Sequence, residues 1–285
     1  PYNFVALVSG GKDSFFALSE CLQQGHRLVA LANLHPPVEA GLEEEAPEEL
    51  DSFMFQTVGW RVVGAYAECL GVPLVRAPLR GTAVAQELSY EPATAPDAPA
   101  DEVEDLLALL KAVQAQHPCV QAVSCGAILS DYQRYRVESV CERLGLVSLA
   151  PMWQCKQRPL LRRMAELPLE AVLVKVAAMG LKPAHLGRSV AALAPMFERL
   201  NGEFGFHECG EGGEFETLAL DAPCFRRRIV LDRTEVHMHS DDAFAPVAHL
   251  RAREFHLEEK SACAPLLPPL PPAAAPASPP AAVAP

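Results

Sequence analysis

Apolar runs alternating with polar, helix-periodic stretches recur through the first half of the chain. Near-continuous apolar segments at residues 4–8, 28–34, 73–77 and 120–124 have the length and texture of strands buried on both faces. Between them, residues 14–25, 55–71, 102–116 and 131–144 carry helical periodicity, with Gly25, Gly71 and Gly145 placed where helices should stop. Repeated strand–helix units predict an α/β fold with a doubly wound, mostly parallel, Rossmann-like sheet and right-handed crossovers. Ligands of such a sheet bind at the carboxyl ends of its strands.

Two segments interrupt the rhythm. Residues 36–51 hold six glutamates and three prolines, and residues 90–101 hold Pro92, Pro96 and Pro99. Both read as solvated loops near the site-bearing edge. From about Pro151 the texture changes. Residues 160–167 and 189–200 are helical, residues 171–176 form a buried strand, and strand-like segments follow at 215–220, 227–231, 235–239 and 251–257. A smaller C-terminal α+β domain is expected, so the chain divides at 1–150, 151–260 and 261–285. The last segment has nine prolines, nine alanines and no charged residue, which predicts a disordered or polyproline-like tail.

The most concentrated chemistry lies between the first strand and the first helix, in Ser9-Gly10-Gly11-Lys12-Asp13-Ser14. A glycine turn feeding a helix start presents free backbone N–H groups and the positive end of the helix dipole. Lys12 adds a mobile positive charge, and the Ser9 and Ser14 hydroxyls add donors. The predicted ligand is a phosphate group. The common P-loop does not fit, because Ala6 stands where its first glycine would be and Asp13 follows Lys12.

Two further strings carry candidate chemistry. Cys209-Gly210-Glu211-Gly212-Gly213-Glu214-Phe215-Glu216-Thr217 places three carboxylates in a glycine-rich turn entering a strand. On a strand from Glu214, the Glu214 and Glu216 side chains would share a face. Such like charges raise one pKa, invite a cation or act as a general base; on spacing alone an acidic surface turn is the plainer alternative. The second string, Gly126 to Glu138, follows the fourth strand into a helix. Ser130 or Asp131 suits its N-cap, and Arg134 and Arg136 reach toward phosphate or carboxylate or else remain ordinary surface arginines. His237 and His239 with Asp241 and Asp242 are read as a structural strand face rather than metal ligands, and Cys125 as a buried thiol.

Composition narrows the function class. The chain has 285 residues, half of them hydrophobic, and a formal charge of −12. That balance argues against nucleic acid as the main partner, despite Arg226-Arg227-Arg228. No run approaches the ~18 apolar residues of a membrane span, and Gly10-Gly11-Lys12-Asp13 interrupts any secretory apolar stretch, so no membrane is expected. Nine irregularly spaced cysteines without a Cys-x-x-Cys pair imply reduced thiols and a cytoplasmic location.

The glycine loop resembles the pyrophosphate loop of the N-type ATP pyrophosphatases, whose fold is adenine-nucleotide α-hydrolase-like. Met54-Phe55-Gln56-Thr57-Val58-Gly59, Gly126 to Glu138, Lys175 to Gly187 and Glu211 to Thr217 follow it in order. Together, over roughly residues 4–258, they resemble the diphthine–ammonia ligase family. The resemblance implies an ATP- and Mg²⁺-dependent amidation of diphthine on elongation factor 2 by ammonium, through an acyl-adenylate, with AMP and pyrophosphate released. It implies that Lys12 and the Gly10 and Gly11 amides hold the β- and γ-phosphates, completed by Ser9 and Ser14. Asp13 would position Mg²⁺ or orient the loop, Asn33 and His35 would meet adenine, and Ser130, Asp131, Gln133 and Arg134 would line the opposite wall. Glu211, Glu214 and Glu216 would attract the trimethylammonium of diphthine, with cation–π contact from Phe215 or Tyr132, and Glu211 or Glu214 would serve as base. No glutaminase region is recognisable, so free ammonium is the implied nitrogen source. Two alternatives remain at this level: tRNA thiolation, which favours a cysteine pair and a basic surface, and ATP sensing without turnover.

Overall fold

The apolar runs of the first half build one parallel sheet in a computed structural model describing residues 1–39, 42, 46–50, 52–92 and 100–260. Its strands are β1 (Asn3–Leu7), β2 (Arg27–His35), β3 (Leu74–Pro78), β4 (Ala122–Ser124) and β5 (Val147–Leu149), in the order β3-β2-β1-β4-β5. Every pairing is parallel, and helices α1 (Lys12–Gln23), α2 (Trp60–Val63), α3 (Tyr66–Leu70), α4 (Glu102–Gln116) and α5 (Asp131–Leu144) connect the strands. The order reverses between β1 and β4, so the loops leaving these two strands diverge and open a crevice at their carboxyl ends. The expected doubly wound α/β fold is the observed one.

Two local expectations differ from the structure. The stretch 55–71 is not one helix: residues up to Gly59 run without helix along the crevice, and two short helices follow. Gly59 adopts φ +86°, and a Cβ there would lie 3.1 Å from the Leu218 side chain, so packing across the molecule overrides the helical period. The apolar pattern does not predict β5, which is only three residues long and carries no clear alternation.

The second half folds as α6 (Gln157–Glu166), β6 (Glu170–Val176), α7 (Val190–Phe204), β7 (Phe215–Asp221), β8 (Arg227–Ser240) and β9 (Val247–Glu259). Its strands form an antiparallel sheet in the order β7-β6-β9-β8. The segments at 227–231 and 235–239 are one strand, because register irregularities around Arg233 absorb the polar interruption between them. The acidic insert is not wholly solvated either. Glu48 is buried, accepts from Gly59 N at 3.2 Å and pairs with Arg61 at 3.0 Å. Residues 40, 41, 43–45, 51 and 93–99 and the Pro/Ala-rich tail from 261 lie outside the described residues. None of the helices among the described residues is long and apolar enough to cross a membrane.

The two sheets share apolar core. Phe4 and Leu31 of the first, with Phe15 of α1, pack in one cluster with Val172, Leu218 and Ile229 of the second. The edge strand β7 also meets the glycine loop directly. Ala219 N donates to Gly10 O at 2.8 Å, and the Lys12 amide donates to Thr217 Oγ1 at 3.0 Å. Tyr66, fully buried, places its hydroxyl 3.2 Å from Gly10 O and 2.9 Å from Ala219 O, sharing one proton between the two sides of the junction. Tyr66→Phe removes that donor without opening a large cavity. We expect a loss of about 1–2 kcal/mol in urea unfolding; a variant as stable as wild type would show that the hydroxyl does not support the junction.

Candidate active site

A cavity of about 490 Å³ occupies the crevice. The glycine loop supplies Ser9, Lys12, Asp13 and Ser14; β2 supplies Asn33; α5 supplies Gln133; and the turn into β7 supplies Glu211, Phe215, Glu216 and Thr217. The site therefore lies between the parallel sheet and the edge of the antiparallel one, and the three sequence strings converge on it.

The loop is shaped by its glycines. Gly10 takes φ +100°, a conformation costly for residues with a Cβ, and a Cβ on Gly11 would stand 2.8 Å from Gln56 Oε1. Gly11 cannot supply a side-chain cap, and none is present at the start of α1. The first amide of the helix, that of Lys12, is nevertheless taken by Thr217 Oγ1, so an anion there would meet the amides that follow it. Ser14 donates its hydroxyl to Gly11 O at 2.8 Å, and Ser9 Oγ accepts from Gly11 N at 3.2 Å. Lys12, read from sequence as a mobile charge, is instead clamped and buried. Its Nζ donates to both Asp13 oxygens at 3.0 and 2.9 Å and to Cys209 O at 2.5 Å, and lies 5.2 Å from the Phe215 ring centroid. Across the switch point, a Cβ on Gly126 would meet the Asp13 carbonyl carbon at 3.0 Å and Ser14 N at 3.1 Å, so that glycine lets the β4 loop lie against the start of α1.

The three carboxylates of the acidic turn take three different places. Glu211 straps the turn to the β4 loop, accepting from Ile128 N at 2.9 Å and Leu129 N at 3.0 Å. Glu214 lies one residue before β7, outside the cavity lining, where it accepts from His207 N at 2.9 Å. The shared face expected for Glu214 and Glu216 is therefore not formed, because the strand begins after Glu214. Glu216 does line the cavity. Its Oε1 meets Lys175 Nζ at 3.3 Å, Lys175 also bonds Glu49, and Oε2 is buried with no hydrogen-bond partner. Burial pushes the Glu216 pKa up to about 7 and Glu49 adds to that, while Lys175 opposes it.

The remaining residues singled out from sequence hold varied positions. Asn33 donates to Val8 O at 2.9 Å and accepts from Arg76 at 3.0 Å, which ties the ends of β1 and β2. His35 stacks on Trp60 with 6.0 Å between centroids, outside the cavity lining; burial lowers its pKa. Ser130 caps α5, accepting from Gln133 N at 3.2 Å, with Asp131 opening the helix. Tyr132 packs under the Arg136 guanidinium, 3.3 Å from its ring centroid, and Arg134 pairs with Glu138 at 2.6 Å and stacks on Trp153. Arg136, read as a surface arginine or anion contact, is fully buried and donates to Glu87 O at 2.9 Å and to Ala85 O.

Sequence reasoning did not place the 52–56 segment or Thr217 in the site. Gln56 donates to Thr217 O at 2.9 Å and Val58 O at 3.1 Å, and Ser52 Oγ accepts from Phe55 N at 2.9 Å. The usable signal was the Met54-Phe55-Gln56-Thr57 block itself, which helical periodicity obscured. His237 stacks on His249 at 5.3 Å, and the described residues hold no group of three or more metal-ligating side chains. Asp13 alone would offer Mg²⁺ a carboxylate near the loop, which suits an ion carried mainly by nucleotide phosphates. Burial raises the Cys125 thiol pKa, in keeping with an inert core thiol.

Family models extend across both halves of this site. A model described as the diphthamide synthase N-terminal domain matches residues 2–148, and one described as the C-terminal domain matches residues 156–252. The chain is 48% identical over 261 residues to a Mus musculus protein named diphthine–ammonia ligase, covering 91% of this chain and 94% of that one. A Danio rerio protein of the same name is 49% identical over 258 residues, covering 90% and 97%. A Schizosaccharomyces pombe protein of that name is 50% identical over 236 residues, which are 83% of this chain and 37% of that longer one.

Gly126→Ala should leave the fold intact yet weaken nucleotide binding about tenfold or more by titration calorimetry, because the added Cβ pushes on the backbone at the start of α1. Unchanged affinity would mean that the loop contact does not shape the site. Glu216 links stability to pH. The unfolded chain releases its proton near the ordinary value of 4.5, whereas the folded chain releases it near 7. Stability present below the lower value is lost as pH rises through the upper one, by at most about 3 kcal/mol. Urea unfolding of wild type and Glu216→Gln from pH 4 to 8 checks this; the gap between them should change across that window, and parallel curves would exclude the raised pKa.

Proposed function

This chain belongs to the diphthamide synthase family, and we propose on that premise that it is an ATP-dependent diphthine–ammonia ligase. The observation that carries the reading is the convergence of the glycine loop and the acidic turn on one cavity, with Lys12 bonded to the carbonyl of Cys209 at 2.5 Å. Phosphate and acceptor chemistry are thereby held side by side.

In this reading the β- and γ-phosphates of ATP lie on the loop and the first-turn amides of α1. Incoming phosphate oxygens replace Asp13 and the Cys209 carbonyl as partners of the Lys12 ammonium. Ser9 and Ser14 border them, and Asp13 is the residue that would hold a Mg²⁺ accompanying the nucleotide, which would neutralise phosphate charge. Adenine lies toward the end of β2, at Asn33. Gln133 and Glu216 contact the diphthine side chain, which elongation factor 2 presents at the cavity mouth; the Phe215 ring, stacked on Phe197 and already facing the Lys12 ammonium, offers no free face to its quaternary ammonium. The diphthine carboxylate attacks the α-phosphorus, forming an acyl-adenylate and expelling pyrophosphate. Fixed donors around the loop stabilise the charge that develops on that leaving group. Free ammonia then displaces AMP and leaves the amide. Positioning in the cavity and the charge of Lys12 carry the protein's share of the catalysis.

The test is product analysis with α-labelled ATP and elongation factor 2 bearing diphthine. AMP and pyrophosphate should accumulate over many turnovers only when both protein substrate and ammonium are present, and Lys12→Ala should slow turnover at least about 100-fold. ADP and orthophosphate as products, or a requirement for tRNA, would overturn the reading.

A further inference from the structure

Amidation of an acyl-adenylate needs ammonia, yet ammonium is the abundant form at neutral pH. A proton must leave the nitrogen before attack. Among the described residues three carboxylates line the cavity: Asp13, Glu211 and Glu216. Both Asp13 oxygens accept from the Lys12 ammonium. Both Glu211 oxygens accept from backbone amides of the β4 loop, so taking up a proton there would break the strap. Glu216 alone of the three combines a cavity position with a buried oxygen, Oε2, that has no hydrogen-bond partner. Glu214 also has an unpartnered oxygen, but it lies outside the cavity lining.

We propose that Glu216 is the group that receives the proton from ammonium and so delivers ammonia to the acyl-adenylate. The assignment rests on the ligase reading above and names a role that the reading leaves open. One proton passes from ammonium to Glu216 Oε2. The freed nitrogen lone pair attacks the acyl carbon, and the bond from that carbon to the AMP oxygen breaks with its electron pair going to AMP. A second proton moves from the nitrogen of the adduct to the departing phosphate oxygen, which leaves the neutral amide.

The surroundings of Glu216 suit this task. Among the described residues two charged groups face it: Lys175 on β6, 3.3 Å from Oε1, and Glu49 in the segment before α2, which shares that lysine. When Glu216 is charged, Lys175 holds it; when Glu216 becomes neutral, Lys175 keeps Glu49 as its partner, so no buried cation is stranded. Burial sets its proton affinity near neutrality, where a base can both accept and release. Glu216 also precedes Thr217, whose hydroxyl accepts from the Lys12 amide, so the base is one residue from the contact that anchors the phosphate loop.

The experiment compares Glu216→Gln with wild type in two assays on the same preparations: ATP–pyrophosphate exchange with diphthine-bearing elongation factor 2, and product formation with two nucleophiles. With ammonium, the ratio of product formation to exchange should fall about 100-fold or more in the variant. With hydroxylamine, largely unprotonated at neutral pH, the ratio should return to within a few-fold of wild type. The variant's ammonium rate should also climb with pH in step with free ammonia. An equal loss with both nucleophiles, or an unchanged ratio with ammonium, would overturn the assignment. Absence of exchange in wild type would instead overturn the ligase reading on which it rests.

Discussion

The contact between the glycine loop and β7 is the constraint on which the rest of the site depends. Gly10 O accepts from Ala219 N, and Thr217 Oγ1 accepts from the Lys12 amide, so an edge strand of the second sheet fixes the glycine loop of the first. The loop conformation, with φ +100° at Gly10, is open to glycine and costly for other residues, and β7 supplies the hydrogen bonds that hold it. The shared core from Phe4 and Phe15 to Leu218 and Ile229 keeps the two sheets in register.

Charge in the site is arranged by the same economy. Each carboxylate of the acidic turn has a separate duty because each meets a different electrostatic partner. Glu211 meets amides, Glu214 meets the His207 amide, and Glu216 meets a lysine already shared with Glu49. The motif reads as one cluster in sequence and separates into three environments in space, since β7 begins at Phe215 and the preceding turn folds back on itself.

Much of this was legible in the chain itself. The parallel sheet followed from apolar runs bounded by glycine stops, and Gly145 indeed ends α5 in the left-handed region at φ +66°. The loop was legible because strand, glycines and helix start are local features. What local pattern could not show were the effects of distant partners. The helical period over 55–71 concealed an extended segment whose Gln56 bonds Thr217, 161 positions away. The buried state of Arg136, held by carbonyls of residues 85 and 87 and the Tyr132 ring, contradicts the usual exposure of arginine and depends wholly on tertiary packing. The insert at 36–51 read as solvated because glutamate is ordinarily so; Glu48 and Glu49 are exceptions because Arg61 and Lys175 await them.

The clamp on Lys12 has a consequence for ligand choice. The loop's cation is already satisfied by its neighbour's carboxylate and a carbonyl, so the pocket is self-neutralised before any nucleotide arrives. An anion must outbid those internal partners to enter. The resting ion pair is thus an internal competitor, which any anion drawn to the lysine has first to displace.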